Sequence, residues 1–153
     1  MTTNAELEPD LLADGWKPIR PGAFITLIGP FYIRVRDGRP QYCFRVAPKH
    51  DNTQGRPHGG MMMSFLDEAL GWSTHIARPH DSFFTIGFDC QFIGGSVVGD
   101  LVVAETEVVS ATKSMMFMRG DCKVGDRIIA SASGIWKRVG SRPPEGERTW
   151  TIP

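Results

Sequence analysis

The sequence predicts an α+β domain in which a long, curved antiparallel β-sheet wraps around one central α-helix. Three observations carry that expectation. Stretches of alternating apolar and polar residues recur through much of the chain, the two-residue period of half-buried strands. Residues 59–77 break that rhythm with a helical spacing. The same stretch is apolar around most of its circumference, as in a helix that is buried rather than laid on a surface.

Taken in order, residues 1–15 read as a polar leader with one short helix over 5–13, ended by Gly15 and barred from continuing by Pro18. From Phe24 onward the pattern is extended. Phe31, Ile33 and Val35 alternate with Tyr32, Arg34 and Arg36, Asp37-Gly38 supplies a turn, and Tyr42, Phe44 and Val46 resume the alternation. Apolar alternation on both sides of Asp-Gly signals a hairpin. Within 59–77, Met62, Phe65, Leu66, Ala69, Leu70 and Ile76 recur at helical intervals, and only Asp67 and Glu68 bear formal charge. Residues 83–93, 101–110 and 115–124 read as strands, the last turning through Gly125-Asp126 into 128–139. These exceed the usual length of about five or six residues, as a long curved sheet requires. Beyond Gly140, the Pro143-Pro144 pair and four charges suggest a loose extension. The expected organisation is a leader over 1–22, one domain over 23–139 and a tail over 140–153.

Composition narrows the function classes. A chain of 153 residues suits one domain. Its 17 basic and 17 acidic side chains cancel, which excludes a nucleic-acid binder that relies on a broad positive field. No apolar run approaches the roughly 20 residues of a membrane span. Residues 1–14 hold four acids and no base, unlike a secretory signal or mitochondrial presequence, so a cytoplasmic location is expected. Cys43, Cys90 and Cys122 are odd in number and far apart, which argues against a disulfide framework or a thiolate zinc site and for small core residues in a reducing compartment.

The chemistry concentrates between Asn52 and Asp67. A polar loop leads into His58-Gly59-Gly60, two glycines that open the helix, and an acid follows two turns inside. Glycine at a helix start lets a ligand approach the backbone. The unpaired N–H groups there, at the positive end of the helix dipole, suit an anion or a polarised carbonyl. Asn52 and His58 add side-chain donors, and Asp67 is a carboxylate on an otherwise apolar helix, where it is costly without a partner or a task. Each residue alone has an ordinary explanation: His58 as a helix cap, the glycines as a turn, Asp67 and Glu68 as a wet face, Met61 to Met63 as core. Their conjunction is the signal.

The pattern Asn52-x5-His58-Gly59-Gly60-x6-Asp67 resembles the signature of the PaaI-type acyl-CoA thioesterases, members of the hotdog-fold superfamily. The resemblance covers residues 52–137 and reaches loosely back to Phe31. It implies that a thioester carbonyl docks at the helix N-terminus, polarised by the Gly59 N–H with the Asn52 amide close by. It implies that Asp67 is the general base or the nucleophile, that Thr85 on the following strand helps to place the water, and that His58 orients the loop or touches the carbonyl. Gly60, Met63, Ser64 and Arg56 are the accompanying candidates for substrate contact. The implied substrate is an acyl-CoA or aryl-CoA ester, with no metal and no organic cofactor required. Phe65, Trp72, Phe83, Phe84 and the methionines are candidates for the acyl pocket or for plain core. Candidate cations for the coenzyme A phosphates are Arg56, Lys113, Arg119, Lys123, Lys137 and Arg138.

Geometry adds a constraint. Gly59 and Asp67 are eight residues apart, roughly 12 Å along a straight helix axis. One carboxylate cannot reach a carbonyl docked on its own helix start, so a second copy must supply one of the two groups, giving two equivalent sites about a twofold axis. A homodimer is therefore expected, with further assembly into a dimer of dimers. The chain also departs from the family pattern. Many relatives have a basic residue and a proline after the strand where this chain has Ile93-Gly94-Gly95-Ser96, and Gly71 stands where one branch has a threonine. Two other readings stay open: a hotdog dehydratase of 3-hydroxyacyl thioesters using His58 and Asp67, and a non-catalytic acyl-CoA-binding protein.

Overall fold

The computed structural model describes residues 7–19 and 22–141. Residues 5 and 6 of the expected leader helix and the tail beyond 141 lie outside the described residues. The elements are α1 (Pro9–Ala13), β1 (Lys17–Pro18), α2 (Ala23–Ile28), β2 (Tyr32–Arg36), β3 (Arg39–Arg45), α3 (Gly59–Ala77), β4 (Asp81–Phe92), β5 (Leu101–Ala111), β6 (Met115–Val124) and β7 (Arg127–Ser141). The strands form one seven-stranded antiparallel sheet in the order β1-β2-β3-β5-β6-β7-β4. This is the helix-in-sheet arrangement that the resemblance implies. Since α3 carries the chain across the sheet between β3 and β4, β4 pairs among the described residues only with β7 and lies at an edge.

α3 is held by its apolar side. Met61, Met62, Phe65, Leu66, Ala69, Leu70 and Trp72 are buried in the main core. The Phe65 ring lies edge-on to Phe44 at 4.7 Å and to Phe31 at 5.1 Å, and Trp72 stacks obliquely on Tyr42 at 5.7 Å. Aromatic pairs in such geometries add roughly 0.5–1.5 kcal/mol each beyond burial. The polar groups in this core are satisfied, because the Tyr42 hydroxyl meets Ser73 Oγ at 2.8 Å and Ser73 meets Thr106 Oγ1 at 2.6 Å.

The first third of the chain differs from the sequence expectation in two ways. α2 replaces the extended run expected from Phe24: a short helix buries Ile25, and His50 and Lys49 meet the carbonyl groups of Ile28 and Gly29 at its C-terminal end. The leader is also more than a polar arm. Alternation along β2 and β3 would leave Tyr32 and Cys43 on the wet face, yet both are fully buried. Leu11 and Trp16 cover them in a second core, against which Leu101 and Val103 pack. Both faces of the sheet are thus buried at this end, so alternation of burial fails there. Arg34 lies 4.2 Å from the Trp16 ring centre and pairs with Asp14, closing the outer side.

One irregularity in β4 positions the site. Thr85 pairs with Trp136 and Gly87 with Ile135, so Ile86 is an extra residue, a β-bulge. Before it, Phe83 and Thr85 face α3; after it, Phe88, Cys90 and Phe92 do. Without the bulge, the odd separation of Thr85 and Phe92 would place them on opposite faces. At the far end, Ser82 pairs with Gly140 and Asp81 with Ser141, which carries regular structure two residues past the expected boundary at 139. Among the described residues no helix is long and apolar enough to cross a membrane.

Trp16→Ala should remove the centre of the second core and lower stability by about 3 kcal/mol, the usual cost of deleting a buried large aromatic. A urea midpoint unchanged from the parent would show that the leader is not part of the folded unit.

Candidate active site

α3 begins at a loop that is tied down on both sides. His50, buried beneath the loop, accepts the Ala47 N–H at Nδ1 and meets Ile28 O from Nε2, while its own carbonyl accepts the His58 N–H at 2.7 Å. Asn52 accepts the Gln54 N–H at 2.9 Å, and its backbone N–H bonds to Arg56 O. His58 is the helix cap: its Nδ1 accepts the Gly60 N–H at 2.9 Å, and its carbonyl takes the N–H of Met61. Among the described residues the Gly59 N–H has no acceptor, so a single helix-start donor remains available next to the dipole's positive end.

That donor opens onto a cavity of about 240 Å³ lined by Asn52, Arg56, Gly59, Met62, Phe92 and Ser96, among others. Phe92 is the wall nearest the helix start. A β-carbon at position 59 would lie 3.1 Å from its ring, so the glycine is what lets ring and backbone approach. Gly60 is exposed and bonded to the cap, Ser64 returns its hydroxyl to Gly60 O at 2.8 Å, and Met63 is exposed beside them.

The acid end is a separate cluster. Asp67 is half-buried, and Thr85 donates to its Oδ1 at 2.8 Å, leaving Oδ2 without a partner among the described residues. Burial pushes the Asp67 carboxyl above its ordinary value, and the Thr85 hydrogen bond partly offsets that. Glu68, one residue on and half-buried, is pushed up to about 7, first by burial and then by the charge of Asp67. Neither Asp67 nor Thr85 lines the cavity at Gly59, since α3 runs unbroken between them. One chain therefore carries two separate polar clusters: Asn52, Arg56, His58, Gly59 and Gly60 at the helix start, Asp67 and Thr85 further along.

The remaining expectations sort themselves. Phe65, Trp72 and Phe83 are core, whereas Phe84 is exposed on the edge strand. Arg119, Lys123 and Arg138 are engaged by Glu107, Glu105 and Asp81. Two residues escaped the sequence reading. Phe92 was hidden because its direction depends on the bulge. Arg127 approaches the cavity's glycine turn from a different strand, donating to Gly95 O at 2.8 Å, and nothing in local sequence marks that approach. Among the described residues no group of three His, Cys, Asp or Glu side chains is placed to hold a metal ion.

Comparison with known proteins places this geometry in context. The family model described as "Thioesterase superfamily" matches residues 54–131. A Pseudomonas aeruginosa protein, provisionally named an esterase, is 32% identical over 127 residues, which is 80% of this chain and 94% of that protein. The PaaI protein from the Escherichia coli phenylacetic acid degradation operon superposes with a TM-score of 0.71 at 18% identity, over 78% of this chain and 86% of its own. A Bacillus halodurans protein solved with coenzyme A gives 0.69 at 19% identity, over 78% of each chain. A Streptococcus pneumoniae thioesterase structure with coenzyme A gives 0.66 at 19% identity, over 74% of this chain and 88% of that one. At these identities the solved structures speak for the fold.

The carboxyl pair makes stability depend on pH. Glu68 holds its proton more tightly in the folded chain than its ordinary value of 4.5, so stability is present below that value and is lost as pH rises towards about 7. Glu68→Gln should be more stable than the parent at pH 8 by about 1–2 kcal/mol, with the gap closing in acid. Parallel urea titrations at both ends of that range check this, and a gap that does not change with pH would contradict it.

Proposed function

This chain belongs to the thioesterase superfamily and is a thioester hydrolase of the PaaI-type hotdog class, and we propose from that premise that two copies hydrolyse an acyl-CoA or aryl-CoA ester at sites they share. The observation that carries the reading is the Thr85–Asp67 hydrogen bond at 2.8 Å, a half-buried carboxylate held on the same straight helix whose first N–H, at Gly59, lacks an acceptor among the described residues. Those two groups stand roughly 12 Å apart along the axis. A second helix packed antiparallel brings the partner's copy of Asp67 to the Gly59 N–H and does the same in reverse. Edge strand β4 supports this pairing: it has one unpaired side and leaves Phe84, Ile86 and Phe92 exposed, an edge that isolated proteins avoid.

In the proposed reaction the thioester carbonyl accepts from the Gly59 N–H. Asp67, oriented through Oδ1 by Thr85, takes a proton from water with Oδ2. The water oxygen forms its bond to the carbonyl carbon, and the developing oxyanion is held by the Gly59 N–H and the helix dipole. Collapse breaks the carbon–sulfur bond. A thiol has an ordinary pKa of about 8.5, so the thiolate leaves readily and recovers the proton from Asp67. The raised Asp67 pKa suits a base better than an ordinary carboxylate would, since proton transfer is favoured as the base strengthens. The dehydratase reading requires His58 as an acid–base group, whereas its Nδ1 accepts from the helix. Three unpaired cysteines accord with work in a reducing compartment such as the cytoplasm.

Asp67→Asn is expected to lower acyl-CoA turnover at least about 10²-fold while leaving assembly intact, the scale of a lost general base. Asn52→Ala should damage the other half-site. Co-refolding the two defective variants in equal amounts should restore about a quarter of the parent's activity, because half the dimers are mixed and each mixed dimer has one intact site. Near-parent turnover in Asp67→Asn would remove the base, and no recovery on mixing would remove the shared site.

A further inference from the structure

The cavity at the start of α3 holds polar groups that the hydrolytic step does not use. Its floor includes the turn after β4, Ile93-Gly94-Gly95-Ser96, and two guanidinium groups flank that turn. Arg127, at the start of β7, donates from Nη1 to Gly95 O at 2.8 Å and stands 3.4 Å from where a β-carbon on Gly94 would lie. Arg56, from the loop before α3, occupies the space that a β-carbon on Gly95 would fill. The two glycines thus form a notch that seats one arginine and admits the other. Neither arginine meets a carboxylate among the described residues, in contrast to Arg119, Lys123 and Arg138. Ser96 lines the same cavity at 4% exposure, and its hydroxyl has no hydrogen-bond partner among the described residues. That hydroxyl oxygen is not among the buried polar atoms, so it reaches the cavity and is free to hydrogen-bond a ligand group.

The arrangement also selects the kind of ligand. Arg56 is exposed and lines the cavity, Arg127 is exposed beside the glycine turn that lines it, and Met62, Phe92 and Ile129 supply apolar lining. Such a site suits an anion that stays at the water boundary with a less polar chain running inward from it. Guanidinium forks match phosphate oxygens in pairs, and Arg127 keeps unused N–H donors beyond the one given to Gly95 O. We propose that Arg56, Arg127 and Ser96, gathered around the Gly94-Gly95 notch, form a clamp for a phosphate group on the thiol half of the substrate. This rests on the thioesterase reading above and assigns the recognition of its nucleotide end to residues from three separate segments.

Two measurements test the clamp apart from the chemistry. Calorimetry compares free coenzyme A with pantetheine, which shares its thiol arm and lacks the nucleotide phosphates. Kinetics compares kcat/KM for one acyl group carried on each of those two thiols. Arg56→Ala and Arg127→Ala should each weaken coenzyme A binding about tenfold or more, and the preference for the coenzyme A ester over the pantetheine ester should fall by the same factor through KM. Binding of coenzyme A to the parent should weaken steeply with salt, because the contact is between exposed charges. Gly95→Ala should act like Arg56→Ala, since the added methyl evicts the flexible end of that side chain. Arg127→Lys, which keeps a donor for Gly95 O but loses the fork, should be impaired as well, separating phosphate recognition from support of the turn. Equal losses on both thiols, or coenzyme A binding untouched in all four variants, would overturn the clamp. Salt-sensitive coenzyme A binding that the arginine variants lose, in a parent that releases no thiol from any ester, would uphold the clamp and overturn the hydrolytic reading.

Discussion

A straight helix cannot fold back on itself, and most of what is distinctive in this protein follows from that constraint. α3 is 19 residues long and runs unbroken through the sheet, so its two reactive regions, at Gly59 and at Asp67, are held apart by the helix rise itself. The packing that fixes this separation is extensive: Phe65, Leu66, Ala69 and Leu70 are fully buried, and the ring cluster of Phe31, Phe44 and Phe65 locks the helix against rotation. A rigid spacer of this kind is what leads us to propose that one chain supplies a pair of half-sites. In that proposal a partner helix meets groups whose positions are already set, which lowers the ordering needed for catalysis.

The sheet reaches both clusters on α3 through one extra residue. β4 contributes Thr85 to the acid end and Phe92 to the helix-start end, and only the bulge at Ile86 allows both to face α3. Among the described residues the same strand is an edge with one side unpaired and exposed apolar side chains. Orientation of Thr85 and Phe92 and exposure of the sheet edge are therefore properties of a single element. A change in β4 register would alter both together, because slipping a strand by one residue exchanges its faces.

Burial on the opposite face explains how a sheet so open at one edge stays firm at the other. Leu11 and Trp16 seal Tyr32 and Cys43, and Arg45 ties the leader down through Glu8 and Asp10. Stability gained there offsets the unfavourable placement of Asp67 and Glu68, two half-buried carboxyls side by side whose charged forms are both disfavoured. Strain of this electrostatic kind is common where a carboxylate must act as a base near neutral pH.

Periodicity alone determined the central helix, the Asp37-Gly38 hairpin and the long strands after residue 80, because those patterns report local burial on a single face. The spacing from Asn52 to Asp67 likewise contained the chemical types of both clusters and, through the helix rise, their separation along α3. Three features were decided only by tertiary structure. Tyr32 is buried because a leader distant in sequence covers the face that alternation assigns to water. Phe92 faces Gly59 because a bulge reverses the parity of β4, and the lone Gly87 beside it is too weak a local cue to fix which residue is the extra one. Arg56 and Arg127 converge on Gly95 from segments more than 70 residues apart, by the difference 127 − 56 in their positions. Local sequence encodes what each residue prefers, whereas the meeting of distant segments depends on which faces the whole sheet and helix leave to be covered.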